Sequence, residues 1–318
     1  MKSRGIVKLS LTAVLILTAL LVSCGDDKDS STGTEALSKV TLSFDNLEPL
    51  GATLNYQAWA VQYYNGYYYG YPLGIFDMNA SGQMVSVSGD SVLSGEFTVD
   101  LDAEDIYAIG VSVEASSTVV TTSSYSHILG GNVSGGQASL TVSNSFGMSM
   151  SLENISGRYI LATPTDSINT NEKSGIWFLD GSTGISLNGL SLPTLGSGWK
   201  YEAWVKIGAQ WVSTGKFTAV NAADEDNLYG GSYSAPAFPG QDFLKNAPTG
   251  LTFPADLSGS EVMVTVELMD SYDVDENAPF YLKVLGGTVP AGAADHTTYY
   301  LNAATSGLPT GSATITAL

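Results

Sequence analysis

Leu54-Asn55-Tyr56-Gln57-Ala58-Trp59-Ala60-Val61 returns further along the chain as Trp199-Lys200-Tyr201-Glu202-Ala203-Trp204-Val205-Lys206, with Tyr-(Gln/Glu)-Ala-Trp at the centre of both copies. More matches follow in the same order. Pro72-Leu73-Gly74-Ile75-Phe76 answers to Ser213-Thr214-Gly215-Lys216-Phe217, and Gly110-Val111-Ser112-Val113-Glu114 to Met263-Val264-Thr265-Val266-Glu267. Ile128-Leu129-Gly130-Gly131-Asn132-Val133 then answers to Val284-Leu285-Gly286-Gly287-Thr288-Val289, and Gly136–Thr141 to Gly311–Thr316. Blocks repeated in one order predict a tandem duplication.

The repeated blocks read as strands. Valine alternates with Ser or Thr in Val111–Val113 and Val264–Val266, the period of a strand with one buried face. Tyr56 and Ala58 are expected on one side of their strand, Gln57 and Trp59 on the other. The double glycines follow apolar strand ends and are expected to supply positive φ at turns. Asn65-Gly66, flanked by Tyr63-Tyr64 and Tyr67-Tyr68, is the residue pair of a type I′ hairpin. Leu101–Ala108 is the best short helical stretch, and a loop between strands accounts for it equally well.

The expected fold is therefore all-β: two tandem β-sandwich-like domains at 37–146 and 147–318. The second is longer in front, where Gly157–Thr163 and Ser174–Leu179 form a candidate hairpin, and behind, where Ala293–Pro309 precedes the last strand. Composition agrees. Among 318 residues there are 35 Gly and 17 Tyr, 44% are hydrophobic and only 14% charged, which suits short strands and turns rather than disorder. With 31 acidic residues against 12 basic, a net charge of −19, the chain lacks the cationic face that nucleic acid requires. One cysteine excludes a disulfide framework, and with two histidines it excludes the usual zinc sites.

That cysteine has a more specific reading. Lys2, Arg4 and Lys8 precede an apolar run that ends in Leu20-Leu21-Val22-Ser23-Cys24. This resembles a bacterial lipobox, which implies a signal peptide over 1–23 and lipid on Cys24. A spanning helix needs about 20 continuous apolar residues, and Ser10 and Thr12 interrupt this one. More than one acyl chain gives stable membrane anchoring. Residues 24–36 then form a polar tether. Its small residue and acids after the cysteine resemble the surface-export signal of certain bacterial lipoproteins, and a merely solvated linker would look the same. The expected location is the cell envelope, on the outer membrane, facing either the periplasm or the surface.

In order and content the blocks resemble the extracytoplasmic C-terminal domain of anti-sigma-K factors and of lipoproteins that share it. The second unit carries the pattern in Tyr201, Trp204, Ser213, Gly215, Phe217, Val264–Glu267 and Gly286-Gly287. The first keeps Tyr56, Trp59, Gly74, Phe76 and Glu114 but has Pro72 in place of the serine. The resemblance implies a fold and a location outside the inner membrane. It does not imply sigma-factor inhibition, because a lipobox stands where the cytoplasmic segment of those regulators would be.

Catalytic constellations are scarce. There is no G-x-S-x-G elbow, H-E-x-x-H pair, P-loop or G-x-G-x-x-G fingerprint, and His127 and His296 do not occupy matching positions in the repeat. Glu114 and Glu267 are the acids that both units keep on a strand; they read as a carboxylate site or as strand-end residues bonding a neighbouring turn. Asp224-Glu225-Asp226-Asn227 and Asp270, Asp273, Asp275 and Glu276 offer oxygens for calcium without EF-hand spacing, so no metal and no cofactor is assigned. The candidate binding element is the tyrosine hairpin: Tyr63, Tyr64, Tyr67, Tyr68 and Tyr69, with Tyr71 beside them. Alternation should expose two or three of these rings, either for a protein or glycan partner or simply to pack across the hairpin. The sequence thus predicts a non-enzymatic binding or scaffold lipoprotein. A carbohydrate-binding or carbohydrate-active surface lipoprotein and an extracytoplasmic sensory module of an anti-sigma system are the alternatives.

Overall fold

A computed structural model describes residues 37–115, 118–269 and 278–318. Cys24, the signal and tether segments, and the acids Asp270 to Glu276 lie outside the described residues. The described residues fall in one compact unit. It is all-β: β1 (Ser38–Asp45), β2 (Asn55–Tyr64), β3 (Tyr67–Met78), β4 (Met84–Val85), β5 (Glu96–Val99), β6 (Ile106–Glu114), β7 (His127–Asn132) and β8 (Gln137–Thr141) come first. After them come β9 (Ser156–Leu161), β10 (Gly175–Trp177), β11 (Leu179–Asp180), β12 (Leu187–Asn188), β13 (Leu190–Ser191) and β14 (Trp199–Ile207). The chain continues with β15 (Gln210–Phe217), β16 (Gly240–Asp242), β17 (Glu261–Leu268), β18 (Lys283–Thr288), β19 (Tyr299–Ala303) and β20 (Thr310–Ala317). Leu101–Asp105 is bend and turn, and β6 takes up the chain at Ile106, so the helical stretch resolves as a loop and a strand. Among the described residues no helix is long and apolar enough to cross a membrane.

Two large antiparallel sheets carry the core. The first runs β4-β3-β2-β6-β7-β8-β20-β1-β5, the second β15-β14-β17-β18-β19-β9-β10-β16. The expected hairpin at the front of the second half is present as β9 and β10, with Ile176 opposite Leu161. The 146/147 boundary falls between β8 and β9 and separates the strands of the two sheets with one exception. β20, the last strand of the chain, lies in the first sheet, with Ser312 opposite Ser139 on β8 and Ser43 on β1. Gly136–Thr141 and Gly311–Thr316 look alike because they are neighbours with the same job. Each turns small apolar residues inward (Ala138 and Leu140, Ala313 and Ile315) and hydroxyls outward.

The remaining matched blocks occupy matching places. β3-β2-β6-β7 and β15-β14-β17-β18 have the same order. Tyr56 lies opposite Phe76 and Val113, and Tyr201 opposite Phe217 and Val266. The register slips after Ala58 in one half and after Ala203 in the other. The rings stack at 5.5 Å for Tyr56–Phe76 and 5.7 Å for Tyr201–Phe217. Each tyrosine hydroxyl donates to a carbonyl of the preceding loop at 2.8 Å, Glu48 O or Pro193 O.

Two expectations from the sequence are corrected. Gly130-Gly131 and Gly286-Gly287 are strand residues of β7 and β18, not turns, and none has positive φ. Clearance is what they supply: a Cβ on Gly130 would stand 2.4 Å from Gly147 N, and one on Gly131 2.2 Å from Ser139 O. β6 and β17, expected to bury one face, bury both from Ala108 and Val262 to their ends. The alternating Ser112 and Thr265 are buried and accept hydrogen bonds from the indoles of Trp59 and Trp204 on the neighbouring strands.

Candidate functional site

The tyrosine hairpin forms as its sequence requires. Asn65 (φ 51) and Gly66 (φ 85) make the tight turn between β2 and β3, where Asn and Gly tolerate the left-handed region that other residues avoid. Tyr63 pairs with Tyr68 and Tyr64 with Tyr67, so one pair projects from each face of the ribbon. All four are well exposed, at 50, 59, 61 and 57% for Tyr63, Tyr64, Tyr67 and Tyr68. Tyr69 is half-buried, as is Tyr71, whose hydroxyl donates to Gln62 Oε1 at 3.0 Å.

Tyr63 and Tyr68 belong to a larger aromatic cluster. Their ring centroids are 4.9 Å apart, and Tyr107 lies 5.7 Å from one and 5.6 Å from the other. Phe146 meets Tyr68 edge-on at 5.2 Å and Tyr107 at 5.9 Å. Cross-strand packing and exposure therefore coexist: the rings fix one another and still present surface. Tyr107 and Phe146 were not among the residues the sequence singled out. Tyr107 is the extra residue where the β2–β6 register slips between Val61 and Gln62, and Phe146 arrives on the loop after β8.

The glutamates that both halves carry on a strand, Glu114 and Glu267, have structural work. Trp59 Nε1 donates to Ser112 Oγ at 2.9 Å, and Ser112 Oγ donates to Glu114 Oε1 at 2.5 Å. Ser124 N caps that carboxylate at 3.0 Å. In the other half Trp204 Nε1 donates to Thr265 Oγ1 at 3.0 Å, Thr265 Oγ1 donates to Glu267, and Phe280 N donates to the same carboxylate at 2.9 Å. Every member of both relays except Ser124 and Phe280 is buried. The repeated Tyr-x-x-Trp and Val-(Ser/Thr)-Val-Glu blocks thus encode one indole–hydroxyl–carboxylate relay, which satisfies polar groups that burial would otherwise leave bare. Glu114 and Glu267 stand in different sheets, each bonded within its own.

His127 is a loop fastener. Its Nδ1–H donates to Phe146 O at 3.3 Å, since a carbonyl only accepts, and this leaves Nε2 to accept from Ser123 Oγ at 3.0 Å. Burial holds its pKa below the usual histidine value, which suits the neutral ring. His296 lies exposed beside Asp295 and Glu172, in a different setting.

The acidic loop is divided among separate partners. Glu225 pairs with Lys200 at 2.7 Å. Asp224 lies over Gly215, where a Cβ would stand 2.7 Å from its carboxyl carbon, and accepts from Gly240 N at 2.8 Å. No group of three or more metal-ligating side chains gathers among the described residues. Burial pushes Asp224 up to about 8. Its neutral form therefore contributes stability that is complete below the unfolded carboxyl pKa and is lost as pH rises through about 8. Asp224→Asn should flatten the pH dependence of unfolding between pH 4 and pH 8, and above pH 9 leave the variant more stable than the parent. Urea melts across that range check it; parallel curves for the two proteins would refute it.

No family model, curated protein or solved structure matches the chain.

Proposed function

We propose that the chain is a non-enzymatic lipoprotein of the bacterial cell envelope, held to the outer membrane through lipid on Cys24, whose folded body binds a partner outside the cytoplasm. The observation that carries the binding role is the hairpin: four tyrosines half or more exposed beside a tight turn, two of them, Tyr63 and Tyr68, fixed by ring–ring contacts. Rigid amphipathic rings give large contact area for little conformational entropy. The lipobox motif supports the anchor. The shared strand order and the matching relays support descent of the two halves from one duplicated unit. They fit the motif order of the anti-sigma-K outer domain, on which the sensory-module alternative rests.

Two experiments test this. Cys24→Ala should abolish fatty-acid labelling and release the protein from membranes; unchanged labelling would overturn the anchor. A photo-cross-linking amino acid in place of Tyr64 or Tyr67 should give a discrete adduct in intact cells. The same group at Tyr125, an exposed tyrosine away from the hairpin, should not. Equal adducts from all three positions would refute the binding role of the hairpin.

A further inference from the structure

Beside the aromatic cluster, the outer face of the first sheet carries an uncharged groove. Phe146 N donates to Asn144 Oδ1 at 2.9 Å, and Asn144 Nδ2 donates to Asn132 Oδ1 at 2.9 Å. The backbone of Phe146, whose ring packs on Tyr68 and Tyr107, is therefore tied to Asn144 and through it to Asn132, and the two asparagines wall an open groove of about 520 Å³. The floor is β8 and β20, where Gln137, Ser139, Ser312 and Thr314 point outward as the alternates of buried Ala138 and Ala313. Every side chain lining it is an amide, a hydroxyl or a methyl, and among the described residues no acid or base lines it.

A surface of that chemistry suits a ligand with many hydroxyls and no charge. Aromatic rings cover the C–H faces of sugar rings, while amides and hydroxyls both donate to and accept from sugar hydroxyls. A charged partner finds no complementary charge here, and an apolar segment would strand the polar floor. The volume falls in the range of small-ligand sites. We propose that the Tyr63–Tyr68–Tyr107–Phe146 platform and the adjoining Asn132–Asn144 groove form one binding site for a neutral oligosaccharide, lying from the hairpin towards β20. This deepens the reading of the chain as a binding module and rests on it.

The test is affinity electrophoresis of the full chain in detergent, in native gels containing glucan, mannan, xylan or galactan, with polygalacturonate as the acidic comparison. At least one neutral polymer should retard the protein, and polygalacturonate should not. Tyr68→Ala and Asn132→Ala should each weaken retardation about tenfold while leaving the thermal transition in place. Retardation that survives both substitutions overturns the proposal, as does equal retardation by the acidic polymer. No retardation by any neutral polymer also overturns it. In that case a hairpin-specific cross-link in cells would leave the binding module standing without a glycan, whereas loss of both would remove the binding reading itself.

Discussion

Thr265→Val is expected to destabilise the protein by about 4 kcal/mol, although valine nearly matches threonine in volume. Thr265 Oγ1 stands between the Trp204 indole and the Glu267 carboxylate, and all three side chains are buried. The substitution takes the acceptor from the buried indole N–H and removes one of the donors to the Glu267 carboxylate, which keeps Phe280 N. Each such loss costs about 1–3 kcal/mol, and more where charge is involved. Urea unfolding measures the change directly; a loss below 1 kcal/mol would show that the relay contributes little. In a Trp204→Phe background the indole donor is already gone, so the same substitution should cost less, and the double-mutant cycle reports the coupling. Ser112→Ala is the counterpart in the first half. Both should shift a single transition, because the halves share one core. Within it Tyr281 Oη donates to Tyr56 Oη at 2.8 Å, and Trp199 Nε1 donates to His127 O at 3.2 Å.

A chain ended at Leu308 should lose more, namely the β8 and β1–β5 side of the first sheet as an ordered structure. β20 is the only strand between β8 and β1. Its eight residues pair along the whole of β1, from Ser38 opposite Ala317 to Asp45 opposite Thr310. Without it β1 keeps only β5, β8 keeps only β7, and the core loses Ala313 and Ile315. Hydrogen exchange should then show the amides of β1, β5 and β8 exchanging at rates close to those of an unfolded chain, and a peptide of residues 310–318 added in trans should restore protection. Native-like protection at Val40, Leu42 and Leu140 in the shortened chain would refute the claim.

These two cases also mark what the amino-acid sequence discloses. The strand blocks, their order, the Asn65-Gly66 turn and the exposed tyrosines were legible because each is a local pattern with a local cause. The relay was half legible. Trp, Ser or Thr, and Glu recur at fixed places, but alternation alone made Ser112 and Thr265 look solvent-facing, since the indoles that bond them reach across from the paired strands. The double glycines misled for another reason. A missing side chain serves positive φ or close approach equally well, and only the neighbours tell which. Of the aromatic cluster, Tyr63 and Tyr68 could be read from the hairpin. Tyr107 and Phe146 could not, because a register slip and a long-range contact bring them there.

The position of β20 also bears on the order of events while the protein is made. Domains leaving a ribosome or a secretion channel ordinarily fold from the amino end as they emerge. Here β1 and β8 are out long before the strand that joins them exists, so the half made first is the half finished last. A product cut short between Thr141 and Thr310 carries two unpaired strand edges, the kind of surface that chaperones hold and proteases find. The closing strand therefore makes the sheet that bears the tyrosine hairpin wait for residues made long after β1 and β8.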